Sequence, residues 1–289
     1  MTKALAALLD GIVLGLQYGL LGVGLTLIYG LAGVVNLAHG QIAILGAVFV
    51  SLLMGAGWAA VPAAVVGILG AGVLLLLIDL TLMRAVYRVH GETRILLGLL
   101  LMLGVGFIID GYLNWKYPIE SLSLRIGGDP VSILGVKMST GSLLASAITI
   151  VAGLALGIFF RSTTLGRGVR SVIQDEQGAR LIGVNPSTVR SFVFLLSGLL
   201  AGLVAVTRSM TAPQLSSLGI SLTTTALIVA VVGGLGSVSG AFLAGVLLGI
   251  VDRFSSAYIG QFYTSIIRWG CAAGMIVLRP SGLLGKASR

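Results

Sequence analysis

Residues able to do chemistry are few in this 289-residue chain, and most of them gather in one stretch. From 162 to 192 the sequence reads STTLGRGVRSVIQDEQGARLIGVNPSTVRSF. Arg170, Asp175, Glu176 and Arg180 are interspersed there with Val169, Val172, Ile173, Leu181 and Ile182. Apolar residues recurring at helical spacing among charges of both signs predict a short amphipathic helix over Arg170–Ile182. Gly183 ends it, and Asn185-Pro186-Ser187 makes a turn before the next apolar run. On physical grounds alone this is a surface helix, and lying on a membrane is its plainest use.

The remaining polar groups are scattered among apolar residues, and each has two readings. Asn36 and His39 precede Gly40 at the junction of two apolar segments. They either contact and gate a solute or satisfy backbone groups where a helix breaks. Gly233, Gly234, Gly236, Ser237, Ser239 and Gly240 form a second break, where Gly234 either borders a pathway or lets helices approach closely. Thr223, Thr224 and Thr225 open an apolar run and either line a path or bond to their own helix. Arg268 lies well inside an apolar segment, and either snorkels to the nearer interface or meets a solute carboxylate. Segments 33–47 and 234–248 share a pattern of break, glycine and apolar run, as an internal repeat would.

Reactive constellations are missing from the sequence. No G-x-x-x-x-G-K-[ST] cradle for nucleotide phosphates occurs: GVKMST at 135–140 and GKAS at 285–288 lack the upstream glycine. No Ser/His/Asp or Cys/His set is evident. His39 and His90 are too scattered for a zinc site, and the lone Cys271 excludes an intrachain disulfide. Asp79, Asp110 and Asp252 read as span ends, so the mid-depth carboxylate that a proton- or sodium-coupled carrier buries is not found.

Composition explains the scarcity. Hydrophobic residues make up 57% of the chain and charged ones 9%, against about 25% in an ordinary soluble domain. A mean hydropathy of +1.09 leaves too little polar surface to cover a soluble core. A soluble enzyme, a disordered tail and a nucleic-acid binder are all excluded. The chain reads as an all-α, polytopic membrane protein forming one domain over 1–289. Apolar stretches lie near 11–35, 40–55, 58–79, 95–113, 141–160, 191–208, 221–236, 238–252 and 262–279. The segments 40–55, 221–236 and 238–252 are short and interrupted by glycine, giving eight or nine spans. Arg84, Arg88 and Arg94 mark one loop, and Arg161, Arg167, Arg170, Arg180 and Arg190 another. Both are expected on the cytoplasmic side, together with Arg279, Lys286 and Arg289. The N-terminus and the loop 114–140 then lie outside.

Four segments carry a family resemblance. TTLGRGVRS…ARLIGVN resembles the coupling loop of ABC importer permeases of the branched-chain amino-acid type, the LivH/LivM family. GVVNLAHGQIAILGA (33–47), VVGGLGSVSGAFLAGVLLG (231–249) and RPSGLLG (279–285) resemble the same family in the same order, and NLAHG resembles its LivH-type subunit. The resemblance implies a non-catalytic permease subunit in a bacterial inner membrane, with its C-terminus cytoplasmic. It would move amino acids inward by alternating access, branched-chain ones first. Urea, short amides, small carboxylates and sugars are alternative solutes, and a self-sufficient carrier or channel is the alternative of another class.

Implied partners are a second permease subunit, usually a homologue forming a heterodimer, and a periplasmic substrate-binding protein. Two ATPase subunits would hold ATP and Mg, leaving this chain without a cofactor or metal. Arg170, Asp175, Glu176, Ala179, Arg180, Gly183 and Asn185 would form the ATPase-coupling set. Among them Glu176, Ala179 and Gly183 approximate the family's E-A-x-x-x-G pattern. Val169, Val172, Ile173, Leu181 and Ile182 would enter a groove on the ATPase while the charges fix orientation. Asn36, His39, Thr223, Thr224, Gly234 and Arg268 would border the pathway.

Overall fold

The computed structural model describes residues 2–89, 91–124, 129–133, 135–279 and 281–285. His90, Lys286 and Arg289 lie outside the described residues. An apolar chain in lipid must satisfy its backbone internally, which favours helices, and most of the described residues form them. In order they are α1 (Thr2–Ala32), α2 (His39–Gly55), α3 (Ala60–Ile78), α4 (Arg84–Val86), α5 (Glu92–Lys116), α6 (Thr140–Ser162), α7 (Thr164–Gln174), α8 (Glu176–Leu181), α9 (Pro186–Ser209), α10 (Gly219–Gly233), α11 (Val238–Tyr258) and α12 (Gln261–Leu278). A π-helical turn, Asp79–Met83, joins α3 to α4. Seven of these helices are long and apolar enough to cross a membrane. The 17-residue α2 and the more polar α12 complete the bundle.

α1 is the axis. Its apolar window is 89% buried, against 22% in α5 and α6, so α1 is core while α5 and α6 lie at the periphery of the bundle. It starts well before the expected residue 11. At about 1.5 Å per residue its 31 residues outrun the roughly 30 Å of hydrocarbon, which leaves Lys3 and Asp10 near the interface. Gly33, with φ +65°, ends it.

Small residues set the α1–α11 contact. Gly11, Gly15 and Gly19 recur every fourth residue and face Ile250, Val246 and Phe242. A Cβ on Gly15 would come within 2.6 Å of the Val246 carbonyl oxygen. Backbones this close exclude side chains, which is how helices pack where no hydrophobic force drives them together. Gly15→Ala should therefore cost about 1–3 kcal/mol of thermal stability in detergent. Gly157→Ala, on exposed α6 with open space at its Cβ, should cost nothing.

The connections sort to two ends. At one end, Ile173 of α7 lies against Gly30, and Gly236 packs beside the same glycine. The tail closes over this end: Leu283 N–H donates to the Val232 carbonyl (2.9 Å) and Leu284 N–H to Gly233 (3.3 Å). The basic loops share this end. At the other, β1 (Ser121–Leu122) pairs antiparallel with β4 (Gln214–Leu215), and β2 (Val131–Ile133) with β3 (Val136–Met138). Lys3 there stands 4.9 Å from the Tyr258 ring centroid.

Several expectations need correction. The amphipathic segment is two helices, because Asp175 is extended and its Oδ1 accepts the Gln177 N–H at 2.9 Å, capping α8. Asn185 caps α9 with Pro186 at its first turn, so the expected turn is a helix start. None of Asp79, Asp110 and Asp252 is a span end: the span containing Asp79 runs on to Val86, α5 continues to Lys116 and α11 to Tyr258. The two breaks also differ in depth. Gly236 meets Gly30, but His39 meets Gly24, about 9 Å further along α1 at helical rise.

Candidate functional site

The loop between α6 and α9 is polar and largely exposed. Thr163 caps α7 through the Gly166 N–H (2.9 Å). Within α7, Val169 and Val172 are buried and Ile173 packs on Gly30, whereas Leu165 in the first turn is exposed. Val169 and Val172 are therefore not presented to a partner's groove, contrary to expectation, and Ile173 is half-buried. Ala179, on α8, is buried in the same way. Leu181 and Ile182 point the opposite way, 89% and 73% exposed, on a six-residue helix end. Gly183 follows with φ +85° and no atom within 4 Å of where a Cβ would stand. Only glycine adopts that backbone freely, so the chain reverses immediately behind an apolar tip.

Charges frame the tip. Glu176 accepts from Arg180 at 2.7 Å and stands 3.9 Å from Arg190 Nη1. Arg170 is exposed, and Asp175 is committed to capping. Arg180, Gly183, Asn185, Ser187 and Arg190 line a shallow open depression beside the tip. An exposed leucine–isoleucine pair ringed by arginines can do one thing well, which is to bind an apolar, partly acidic surface.

The second polar region is inside the bundle, where α2 begins. Residues 33–38 are non-helical and run beside Gly98 and Gly106 of α5. Asn36 Oδ1 accepts the Ala38 N–H (3.0 Å), and the His39 ring lies against Gly24, whose carbonyl accepts from Ser197 Oγ at 2.8 Å. The Gly40 N–H donates to Thr223 Oγ1 (2.8 Å), whose hydroxyl donates to Gln41 Oε1 (2.7 Å). A first-turn amide without an intrahelical partner thus finds one across the bundle. Asn36, His39 and Thr223 come together here, all fully or nearly fully buried. Thr224 is half-buried, and Gly234 lies at the other break under Ser281 and Gly285.

Arg268 belongs to a third group and does not snorkel. Its Nε donates to Asp252 Oδ1 (3.1 Å), its Nη2 to Asp252 Oδ2, and its Nη1 to Thr225 Oγ1 (3.1 Å). Tyr18 donates to Asp252 Oδ2 at 3.0 Å. The cluster ties α1, α10, α11 and α12 together. Asp252 and Gln41 drew no role from the sequence, because their partners sit on other helices. Among the described residues no group of three metal-ligating side chains occurs. At the far end a cavity of about 240 Å³ is lined by Asp10, Gln17, Ser142, Thr211 and Arg253. The Gln17 side chain is buried, and its Oε1 has no hydrogen-bond partner.

Comparison with known families matches residues 7–277 to the one described as branched-chain amino acid transport system, permease component. The high-affinity branched-chain amino acid transport system permease protein LivH of Escherichia coli K12 is 26% identical over 297 residues, covering 98% of this chain and 96% of its own. BraD of Pseudomonas aeruginosa, named as the same kind of permease protein, is 27% identical over 295 residues, with coverages of 98% and 96%. Among solved structures, PsaBC from Streptococcus pneumoniae in complex with Fab superposes with a TM-score of 0.54. At 17% identity over 97% of this chain and 93% of the other, that likeness is one of fold.

Proposed function

We propose, because the chain belongs to the family of branched-chain amino acid transport permease components, that it is the membrane subunit of an ABC importer for such amino acids. It binds no nucleotide itself and catalyses nothing. Two ATPase subunits, carrying ATP and Mg, dock beneath α7 and α8, and a homologous permease chain stands beside this one. A periplasmic binding protein delivers the amino acid to the outer face. The basic loops and the C-terminal tail face the cytoplasm of a bacterial inner membrane, following the positive-inside bias.

The observation that carries this reading is the Leu181–Ile182 tip. Two large apolar side chains held outward, next to a reversal at Gly183, gain nothing from water. They gain from a groove. α7 is packed onto α1 through Ile173 and leads through the Asp175 cap to α8, so a push on the tip reaches the bundle axis. The importer reading is preferred to a self-powered carrier because a carrier has no use for such a handle. The far-end cavity favours an amino acid over a neutral sugar. It sets Asp10 and Arg253 around one space, groups that complement an ammonium and a carboxylate.

The test begins with purification in mild detergent, where the chain should bring two ATPase subunits with it. The complex, placed in liposomes with its binding protein, should hydrolyse ATP faster when a branched-chain amino acid is supplied outside. A chain that purifies without any ATPase would overturn the reading.

A further inference from the structure

We propose that Asp79, Tyr87, Arg190 and Ser191 form a mechanical link that carries movement of α8 into the span formed by α3 and α4. The link starts at the docking loop, where Glu176 holds Arg180 and stands 3.9 Å from Arg190. The Arg190 guanidinium lies over the Tyr87 ring, 4.1 Å from its centroid. The Tyr87 hydroxyl donates to Asp79 Oδ1 (2.7 Å), and Ser191 Oγ donates to Asp79 Oδ2 (2.6 Å). Both carboxylate oxygens of the buried Asp79 are thereby occupied by groups from the α4 end and from the first turns of α9.

Three features set this apart from an ordinary buried network. First, Asp79 opens the π-helical turn Asp79–Met83. A π turn holds one residue more than an α turn and recurs at functional sites. Its conversion to α-helix re-registers everything beyond it, which gives the span two discrete states. Second, the chain is graded in tightness. The Asp79 contacts are short hydrogen bonds, whereas Glu176 of α8 meets Arg190 at 3.9 Å, a longer ion pair that a docking movement can make or break. Third, the buried Arg190 Nε has no hydrogen-bond partner, so the guanidinium keeps a donor for a second arrangement. Burial, and next the Asp79 charge, push the Tyr87 phenol above its ordinary range, so the hydroxyl remains a donor to Asp79.

This proposal rests on the importer reading, and its test separates the two. In the reconstituted complex, amino-acid uptake per ATP hydrolysed is measured for Tyr87→Phe, Ser191→Ala, the double variant and Ser191→Thr. Tyr87→Phe keeps the ring beneath Arg190 and removes only the hydroxyl. Each of the first two should lower uptake per ATP about fivefold or more, the scale of an ordinary coupling between sites, while the ATPases still co-purify. The double variant should be no worse than the worse single, because both cut one link, and Ser191→Thr should behave as the parent. A merely structural role would lower yield, uptake and hydrolysis together and leave their ratio unchanged, and that result overturns the proposal. Were the parent chain to bring no ATPase at all, it is the importer reading that falls.

Discussion

Gly183→Asp should leave the permease folded and cut uptake per ATP hydrolysed at least tenfold. The backbone at Gly183 has φ +85°, where asparagine and aspartate are the side chains best tolerated. A Cβ there meets nothing within 4 Å, so no neighbour has to shift and the cost to the fold is the backbone strain of a positive φ, about 1–2 kcal/mol. The cost falls on docking. A carboxylate one residue from the Ile182 side chain must be desolvated when the tip enters a groove. An unpaired buried charge costs several kcal/mol, against about 1.4 kcal/mol per tenfold in an equilibrium. Uptake of radiolabelled leucine and phosphate release in the same liposomes check the ratio, and the melting curve checks the fold. Normal uptake by this variant would remove the loop from the coupling mechanism.

Arg268→Leu should be the most destabilising single change in the membrane-embedded part, by about 3–5 kcal/mol, because it leaves the Asp252 carboxylate buried and unpaired. Asp252→Asn should do comparable harm by stranding the guanidinium. Together the two changes should recover most of the loss, since removing both members of a buried pair is often nearly neutral. Thermal unfolding of the four proteins in one detergent measures the cycle. The same cycle decides between the two uses of Arg268. If Arg268→Leu melts like the parent yet abolishes uptake, the arginine serves the solute. If stability falls and returns in the double variant, it serves the α1–α10–α11–α12 junction.

What the sequence made readable is what local pattern encodes. Apolar runs of membrane length and glycine-rich breaks located the spans, because lipid imposes the same requirement on every one of them. The positive φ at Gly183 and Gly234 could be anticipated, since each glycine follows an apolar helical run. Hydropathy reads lipid exposure, however, and not the continuation of a helix. It placed Asp252 at a span end because the following residues, Arg253 and two serines, are polar, whereas the helix persists for another six residues. The Arg268–Asp252 pair needed the hairpin at Gly260, and the Thr223–Gln41 bond joins residues 182 apart. No short-range signal encodes either.

The loop between α6 and α9 was legible as an amphipathic helical element and misread in detail. Amphipathic periodicity continues across Asp175, so it gives no warning that an aspartate is worth more as a cap than as a helix-interior residue. Nor does it say which apolar face meets the bundle. Val169, Val172 and Ile173 turn inward, and Leu181 and Ile182 outward, because the break at Asp175 separates α8 from α7. The Asp79 network was missed for the same reason as the Arg268 cluster: its donors come from both sides of a 112-residue gap.

The most direct test of the account is ATP hydrolysis by the reconstituted complex, with its binding protein, against a panel of external solutes. The account predicts that leucine, isoleucine or valine accelerates hydrolysis and that urea, sugars and aromatic acids do not. Acceleration by one of those other solutes alone would contradict the branched-chain assignment while leaving the docking mechanism in place. Hydrolysis indifferent to every solute, in a complex that nevertheless accumulates leucine, would contradict the central claim that this chain is moved by its partners' ATP.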